Sequence, residues 1–275
     1  NPLRVGFDAA ASRISEVVNR ACAKAGINPG DISSACIALA GISQSVHYHA
    51  MKDALLTALG IADILLVTDA EAALAGALDH QPGVVVIAGT GSIALGRNDG
   101  GEQARSGGLG PILADEGSGY DIARRALRAV TASLDGRAPQ TLLVESICAR
   151  LGIDDPADLP GAIYGGDAVE ISSLAEVVSE TARRGDSVAR EILASAGREL
   201  GALAASVIEK LGMREDQFRV ACVGGVFEAG EFVLAPLRDE VLKIAPRAEV
   251  GPPLSPPTIG AARIALLHAK AKGKE

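Results

Sequence analysis

The sequence has no tryptophan, and only three tyrosines and four phenylalanines among its 275 residues. Nearly half the residues are apolar, so the core has to be built from Ala, Val, Leu and Ile. No apolar run approaches the roughly 18–20 residues that a membrane-crossing helix needs, and no signal peptide is visible in the opening residues. No Gly-x-x-x-x-Gly-Lys-Ser/Thr segment occurs, which excludes a P-loop nucleotide site. Cys22, Cys36, Cys148 and Cys222 are dispersed and form no Cys-x-x-Cys pair. They read as free buried thiols of a cytosolic, cytoplasmic protein. His47-Tyr48-His49 has no nearby His or Cys to complete a metal site, so it reads as a surface pair at a helix start. No residue is assigned to a metal. The formal net charge of −8 argues against nucleic acid and anionic membranes as partners.

What is present centres on Val84 to Tyr120. Val84-Val85-Val86-Ile87-Ala88 is a run of mostly β-branched residues that reads as a buried strand. It stops at Gly89-Thr90-Gly91-Ser92, where small residues allow a sharp turn and close approach to a ligand. Backbone N–H groups and two hydroxyls in such a turn form a cradle for phosphate oxygens. The bland alternative is a tight hairpin after a core strand. A second glycine segment, Gly107-Gly108-Leu109-Gly110, leads into Asp115-Glu116, placed where a helix should open.

The length fits one large domain or two ordinary ones. Apolar residues from Phe7 to Ala25 recur at helical spacing, predicting a helix over 8–25 that Gly26 ends. Strands are expected at 34–39 and 63–68, and helices at 47–59 and 70–78. That alternation implies a parallel sheet with crossovers, an α/β class. His80-Gln81-Pro82-Gly83 breaks the pattern and marks a domain boundary. Strands at 84–88, 93–97 and 103–106 follow as a meander, with Asn98-Asp99-Gly100-Gly101 as a turn. Helices are expected near 116–134, 139–151, 171–184 and 186–211, with a Pro/Gly-rich connection over 154–166. A strand at 219–223 ends in Gly224-Gly225. Helix 234–244, a short strand at 248–250 and helix 258–270 complete the chain. The domains are therefore 1–79, with helix 258–270 packing back on it, and 80–257.

Local reasoning leaves the candidate residues with two readings each. Asp69 follows a buried strand, at the end where α/β sheets bind ligands, and could take a proton from an attacking hydroxyl. It could equally cap helix 70–78. Asp115 could bond sugar hydroxyls, whereas Glu116 could only favour a helix dipole. Gly224-Gly225 could admit a flat ligand or simply form a strand-to-helix turn.

Taken together, Thr68-Asp69-Ala70, Gly89-Thr90-Gly91-Ser92, Gly107-Gly108-Leu109-Gly110, Asp115-Glu116-Gly117-Ser118 and Val223-Gly224-Gly225-Val226 resemble the N-acetylglucosamine kinases and the related BadF/BadG-type ATPases. That group belongs to the sugar kinase, heat-shock ATPase and actin superfamily. Ala114 stands where its motif has glycine. The resemblance implies two ribonuclease-H-like lobes of the actin-like ATPase fold, with ATP and Mg²⁺ as cofactors and a small sugar as substrate. It implies Asp69 as general base, with Gly89, Thr90 and Gly91 at the ATP phosphates and Gly224 and Gly225 at adenosine. It implies Asn1, Ser92, Gly108, Leu109, Gly110 and Asp115 at the sugar, and a homodimer. The family's first phosphate loop, Asp-Gly-Gly-Gly-Thr, has no counterpart here. An incomplete N-terminal lobe is therefore expected, with poor ATPase activity and marginal folding of these residues alone.

The expected activity is ATP-dependent phosphorylation of an amino sugar, N-acetylglucosamine at its 6-hydroxyl above others. Two alternatives are an activator ATPase for an acyl-CoA reductase or dehydratase and a catalytically silent sugar-binding protein. The first calls for cysteines near the glycine loop, and residues 107–120 contain none.

Overall fold

The structure, a computed structural model, describes residues 2–40, 42, 45–164 and 171–272. In chain order the first elements are α1 (Pro2–Val5), α2 (Phe7–Ala25), β1 (Ala35–Ala38), α3 (Ser45–Leu59), β2 (Ile64–Val67) and α4 (Asp69–Leu78). Next come β3 (Gly83–Ala88), β4 (Ser92–Arg97), β5 (Gln103–Gly107), α5 (Gly119–Leu134), α6 (Leu143–Leu151) and α7 (Leu159–Tyr164). The last are α8 (Leu174–Arg183), α9 (Ser187–Lys210), β6 (Arg219–Val223), α10 (Glu231–Ile244), β7 (Glu249–Gly251) and α11 (Pro257–Lys272). The chain divides into two compact units. One runs to His80 and resumes at Pro253; the other is Gln81–Pro252.

In the first unit β1 and β2 pair in parallel, Ala35 opposite Ile64 and Ala38 opposite Val67. The crossover between them contains α3, as a parallel pair requires. Met51 and Leu55 of α3 pack with Ala10 and Ala11 of α2 and with Ile61, Ile64 and Leu66. Helix α4 is buried on nearly every side, from Ala72 through Leu78. Its Ala-rich sequence suits this, because small side chains let α11 lie close against it. Gly260 of α11 is the point of closest approach, where any Cβ would run into the Ala72 carbonyl. At the other end of α11, Lys272 Nζ donates to Asp63 Oδ1 at 2.7 Å, and His268 Nε2 lies 3.2 Å from Oδ2. The Lys272 hydrogen bond, with smaller help from Ser34 and His268, holds the Asp63 carboxyl down at about 2.

The second unit is built on a five-stranded sheet in the order β5-β4-β3-β6-β7. The hairpins β3-β4 and β4-β5 are antiparallel, whereas β3-β6 and β6-β7 are parallel. Strand β3 lies at the centre, and its Val84, Val85 and Val86 are fully buried. That explains why it reads as a continuous apolar run rather than an alternating one. Core residues Leu200, Ala204, Val207 and Ile208 of α9 and Ile122, Ala126 and Val130 of α5 join this sheet in one cluster.

Four expectations are corrected here. Helix α5 starts at Gly119, not at 116, because Gly117 is left-handed at φ 72° and Ser118 is the extended cap residue. Helix α6 starts at Leu143, because Thr141 Oγ1 and the Leu142 N–H are taken by the Asp186 carboxylate at 2.9 and 2.8 Å. The 154–166 connection contains α7, whose Pro160 sits in the first turn, where its missing N–H costs nothing. Helix α10 starts at Glu231, three residues early, and carries Pro236 inside it.

Candidate functional site

The second unit gathers most of the candidate residues around one side chain. Ser92 opens β4 and is only 2% exposed. Its N–H donates to Asp115 Oδ1 at 3.2 Å, its hydroxyl donates to the Glu116 carbonyl at 2.7 Å, and its carbonyl accepts from the Gly108 N–H at 2.9 Å. One residue thus joins the β3-β4 turn, the 107–110 glycine segment and the Asp115 turn. Its hydroxyl is committed to the backbone, so Ser92 builds the site in this structure.

The β3-β4 turn is stitched to the start of α5. The Gly89 carbonyl accepts from the Gly119 N–H at 2.7 Å, and the Thr90 carbonyl from the Tyr120 N–H at 3.4 Å. Asp115 is buried at 8% exposure in the left-handed region, a sparsely populated conformation for a non-glycine residue. Gly91 leaves it room: a Cβ there would come within 2.9 Å of the Asp115 carboxylate. Beyond the glycines the chain turns outward, with Leu109, Ile112 and Leu113 exposed and the Ala114 N–H bonded to the Gly110 carbonyl at 2.8 Å.

A cavity of about 450 Å³ opens beside this turn, lined by Gly89, Thr90, Gly225 and Val226 together with Ser179 and Arg183 of α8. Its volume lies within the ~300–1,000 Å³ of small-molecule sites. Gly224, which precedes the lining residue Gly225, has φ 117°, and any Cβ there would overlap the Ala88 carbonyl. Arg183 Nη2 reaches across to the Glu228 carbonyl at 2.8 Å. The apolar Ile122, Ala175 and Val226 offer a surface for a flat ring, and Thr90, Ser172, Ser173 and Ser179 offer hydroxyls. This donor set suits a nucleoside with its phosphates toward the glycine turn.

Asp69 lies in the first unit, at the C-terminal end of β2 and the first position of α4. Helix capping is carried out by its neighbours. The Thr68 hydroxyl accepts from the Glu71 N–H at 3.1 Å, and the Glu71 carboxylate accepts from the Thr68 N–H at 2.7 Å. Asp69 is exposed, and its carboxylate accepts from the adjacent Ala70 N–H at 3.0 Å. Asn1, the remaining candidate, lies outside the described residues.

Two of the thiols are chemically quiet. Burial pushes Cys222 up to about 12, and burial with the nearby Glu71 charge pushes Cys36 up to about 11. Both stay protonated at neutral pH, so neither is a ready nucleophile or ligand. The sequence reading passed over Asp121, a 4%-exposed carboxylate three residues into α5. Its Ser-x-x-Asp spacing from Ser118 is a capping signal that was there to be read.

The family model for the BadF/BadG/BcrA/BcrD ATPase family matches residues 1–265. The chain is 38% identical over 215 residues to an N-acetylmuramic acid/N-acetylglucosamine kinase of Clostridium acetobutylicum, covering 78% of this chain and 70% of that one. It is 32% identical over 247 residues to an N-acetyl-D-glucosamine kinase of Dictyostelium discoideum, covering 86% and 76%. A Chromobacterium violaceum protein provisionally assigned as an N-acetylglucosamine kinase has a crystal structure that superposes with a TM-score of 0.77 at 26% identity, covering 96% of this chain and 87% of that one. Among the described residues no helix is long and apolar enough to cross a membrane.

Proposed function

Because the chain belongs to the BadF/BadG/BcrA/BcrD ATPase family, we propose that it transfers a phosphoryl group from ATP to a hydroxyl of an amino sugar. N-acetylglucosamine is the expected acceptor, and its 6-phosphate the product. The observation that carries this reading is the state of Asp69. Thr68 and Glu71 form the capping box of α4, and the Asp69 carboxylate stays exposed, accepting from the adjacent Ala70 N–H. A carboxylate in that position can accept the proton of a sugar hydroxyl as its oxygen attacks phosphorus. The relatives named as N-acetylglucosamine kinases supply the sugar class.

The other residues take supporting roles. Asp115 bonds sugar hydroxyls, with Gly108, Leu109, Gly110 and Ser92 shaping the loop that bears it. Gly89, Thr90 and Gly91 contact phosphate, and Gly224 and Gly225 let adenosine lie against backbone. Mg²⁺ neutralises charge on the phosphates when bound. It would be held largely through substrate phosphates and water, with one or two carboxylates at most. The four unpaired thiols support a cytoplasmic setting. The acidic composition supports a protein that does not bind nucleic acid, and the family likeness supports a homodimer.

The test is a coupled ADP-release assay with Mg·ATP and a panel of N-acetylglucosamine, N-acetylmuramic acid, glucosamine and glucose. ADP release that depends on N-acetylglucosamine, with a sugar 6-phosphate seen by phosphorus NMR, is the expected result. Release that responds to none of the sugars would sink the reading.

A further inference from the structure

Asp121 has an unusual set of partners for a residue in the first turn of a helix. Its Oδ1 accepts from Arg124 Nη2 at 2.6 Å, and its Oδ2 accepts from Arg125 Nε at 2.8 Å and from the Gly117 N–H at 3.2 Å. Arg125 continues outward: Nη1 donates to Ser195 Oγ of α9 at 2.7 Å, and Nη2 lies 3.5 Å from Glu199 Oε1. None of these five side chains has a part in the function proposed above.

The bond to Gly117 shows what the cluster acts on. Ser118, fully buried, already caps α5 by accepting from the Asp121 N–H at 3.2 Å. In a capping box the acid would return to the N–H of the cap residue itself. Here that N–H goes instead to the Asp115 carbonyl at 3.2 Å, and Asp121 reaches one residue further back, into the turn. Gly117 is also pressed onto α9. With φ 72°, a Cβ there would lie 2.6 Å from the Ala196 carbonyl and 2.8 Å from Leu200 Cγ. The turn and its anchor therefore rest on the same helix, at Ala196 and Leu200 and at Ser195. Moving Asp115 out of its left-handed conformation would disturb both contacts.

We infer that Asp121, linked through Arg125 to Ser195, is a positioning residue that locks the 115–118 turn and thereby sets the affinity for the sugar without touching it. The sugar half of this statement rests on the proposed kinase reading; the locking half rests on the geometry alone.

Two measurements on Asp121→Asn separate them. Hydrogen exchange of the 108–118 segment should quicken about tenfold or more, as expected for loss of a charge-assisted bond, while β3 and the middle of α9 keep wild-type protection. The KM for N-acetylglucosamine should rise about tenfold or more, with ADP affinity by titration unchanged within about twofold. Ser195→Ala should move both readouts the same way by a smaller factor. Unchanged exchange in the segment would overturn the lock. Faster exchange with an unchanged sugar KM would overturn the positioning role. If Asp121→Asn does not fold, Arg125→Gln, which leaves the Ser118 cap and the Arg124 pair in place, carries the same two readouts. If the wild type turns over no sugar, the kinase reading fails and with it the sugar half, while exchange still decides the lock.

Discussion

Thr68-Asp69-Ala70-Glu71 starts α4, and Ser118-Gly119-Tyr120-Asp121 starts α5. Each is a hydroxyl cap with an acid three residues on, and in each the cap hydroxyl accepts from the N–H of that acid. The two acids then part. Glu71 folds back on its own cap, reaching the Thr68 N–H at 2.7 Å and the Thr68 hydroxyl at 2.8 Å, in an exposed setting. Asp121 is buried, is paired with two arginines and holds Gly117 in the preceding turn. In the first turn the Thr68–Glu71 pair forms the cap and the neighbouring Asp69 carboxylate is exposed, as the proposed base role requires. In the second the cap residue Ser118 sits beside the Asp121–Gly117 bond, and the neighbouring Asp115 is buried and bonded to the Ser92 N–H. Under the proposed roles, one local pattern would serve a free base at Asp69 and a rigid sugar ligand at Asp115. Burial and the partners outside the motif decide which.

Substitutions can break this contrast, and the largest effect is expected at Asp69. Asp69→Asn should lower kcat by about 10²–10⁴, the usual contribution of a general base, with thermal melting unchanged, because capping does not depend on it. Asp115→Ala should raise the KM for N-acetylglucosamine by roughly 10- to 100-fold, corresponding to about 1.5–3 kcal/mol for a hydrogen bond to a charged group. Calorimetric titration of the sugar without nucleotide checks it, and unchanged affinity would leave Asp115 a purely structural role. Gly117→Ala should cost roughly 1–3 kcal/mol of stability through overpacking against Ala196 and Leu200. Urea denaturation monitored in the second unit measures it. Thr68→Ala should show the smallest effect, about 1 kcal/mol for loss of a cap, with kcat little changed. A large fall in kcat there would mean that the two functions of the first turn are not separate.

Most of the architecture was legible because the signals were local. The β-branched run of β3, the glycine after α2 and the alternation of strand and helix up to α4 each follow from residues close in sequence. The errors arose where distant partners decide. Asp115-Glu116 has the composition of a first helical turn, yet Asp115 is held in the left-handed region by its bond to Ser92, 23 residues earlier. Residues 139–142 were expected to be helical, but Asp186 takes their polar groups from 44 residues away. Pro160 was read as part of a Pro/Gly-rich connection, and the structure places it in the first turn of α7. At the site, the glycine turn and Asp115 could be found from spacing and the family resemblance. The link from Asp121 through Arg125 to Ser195 spans 70 residues beyond Arg125, and no local pattern announces it.

The most direct test of the division of labour between the two turns pairs two readouts on Asp69→Asn. N-acetylglucosamine binding is measured by calorimetric titration, and turnover by ADP release, on the same preparation. The expected result is sugar affinity within about twofold of wild type with turnover reduced about 10²–10⁴-fold. Near-normal turnover would contradict the assignment of Asp69 as the base. Sugar affinity falling in step with turnover would contradict the separation of base from sugar ligand.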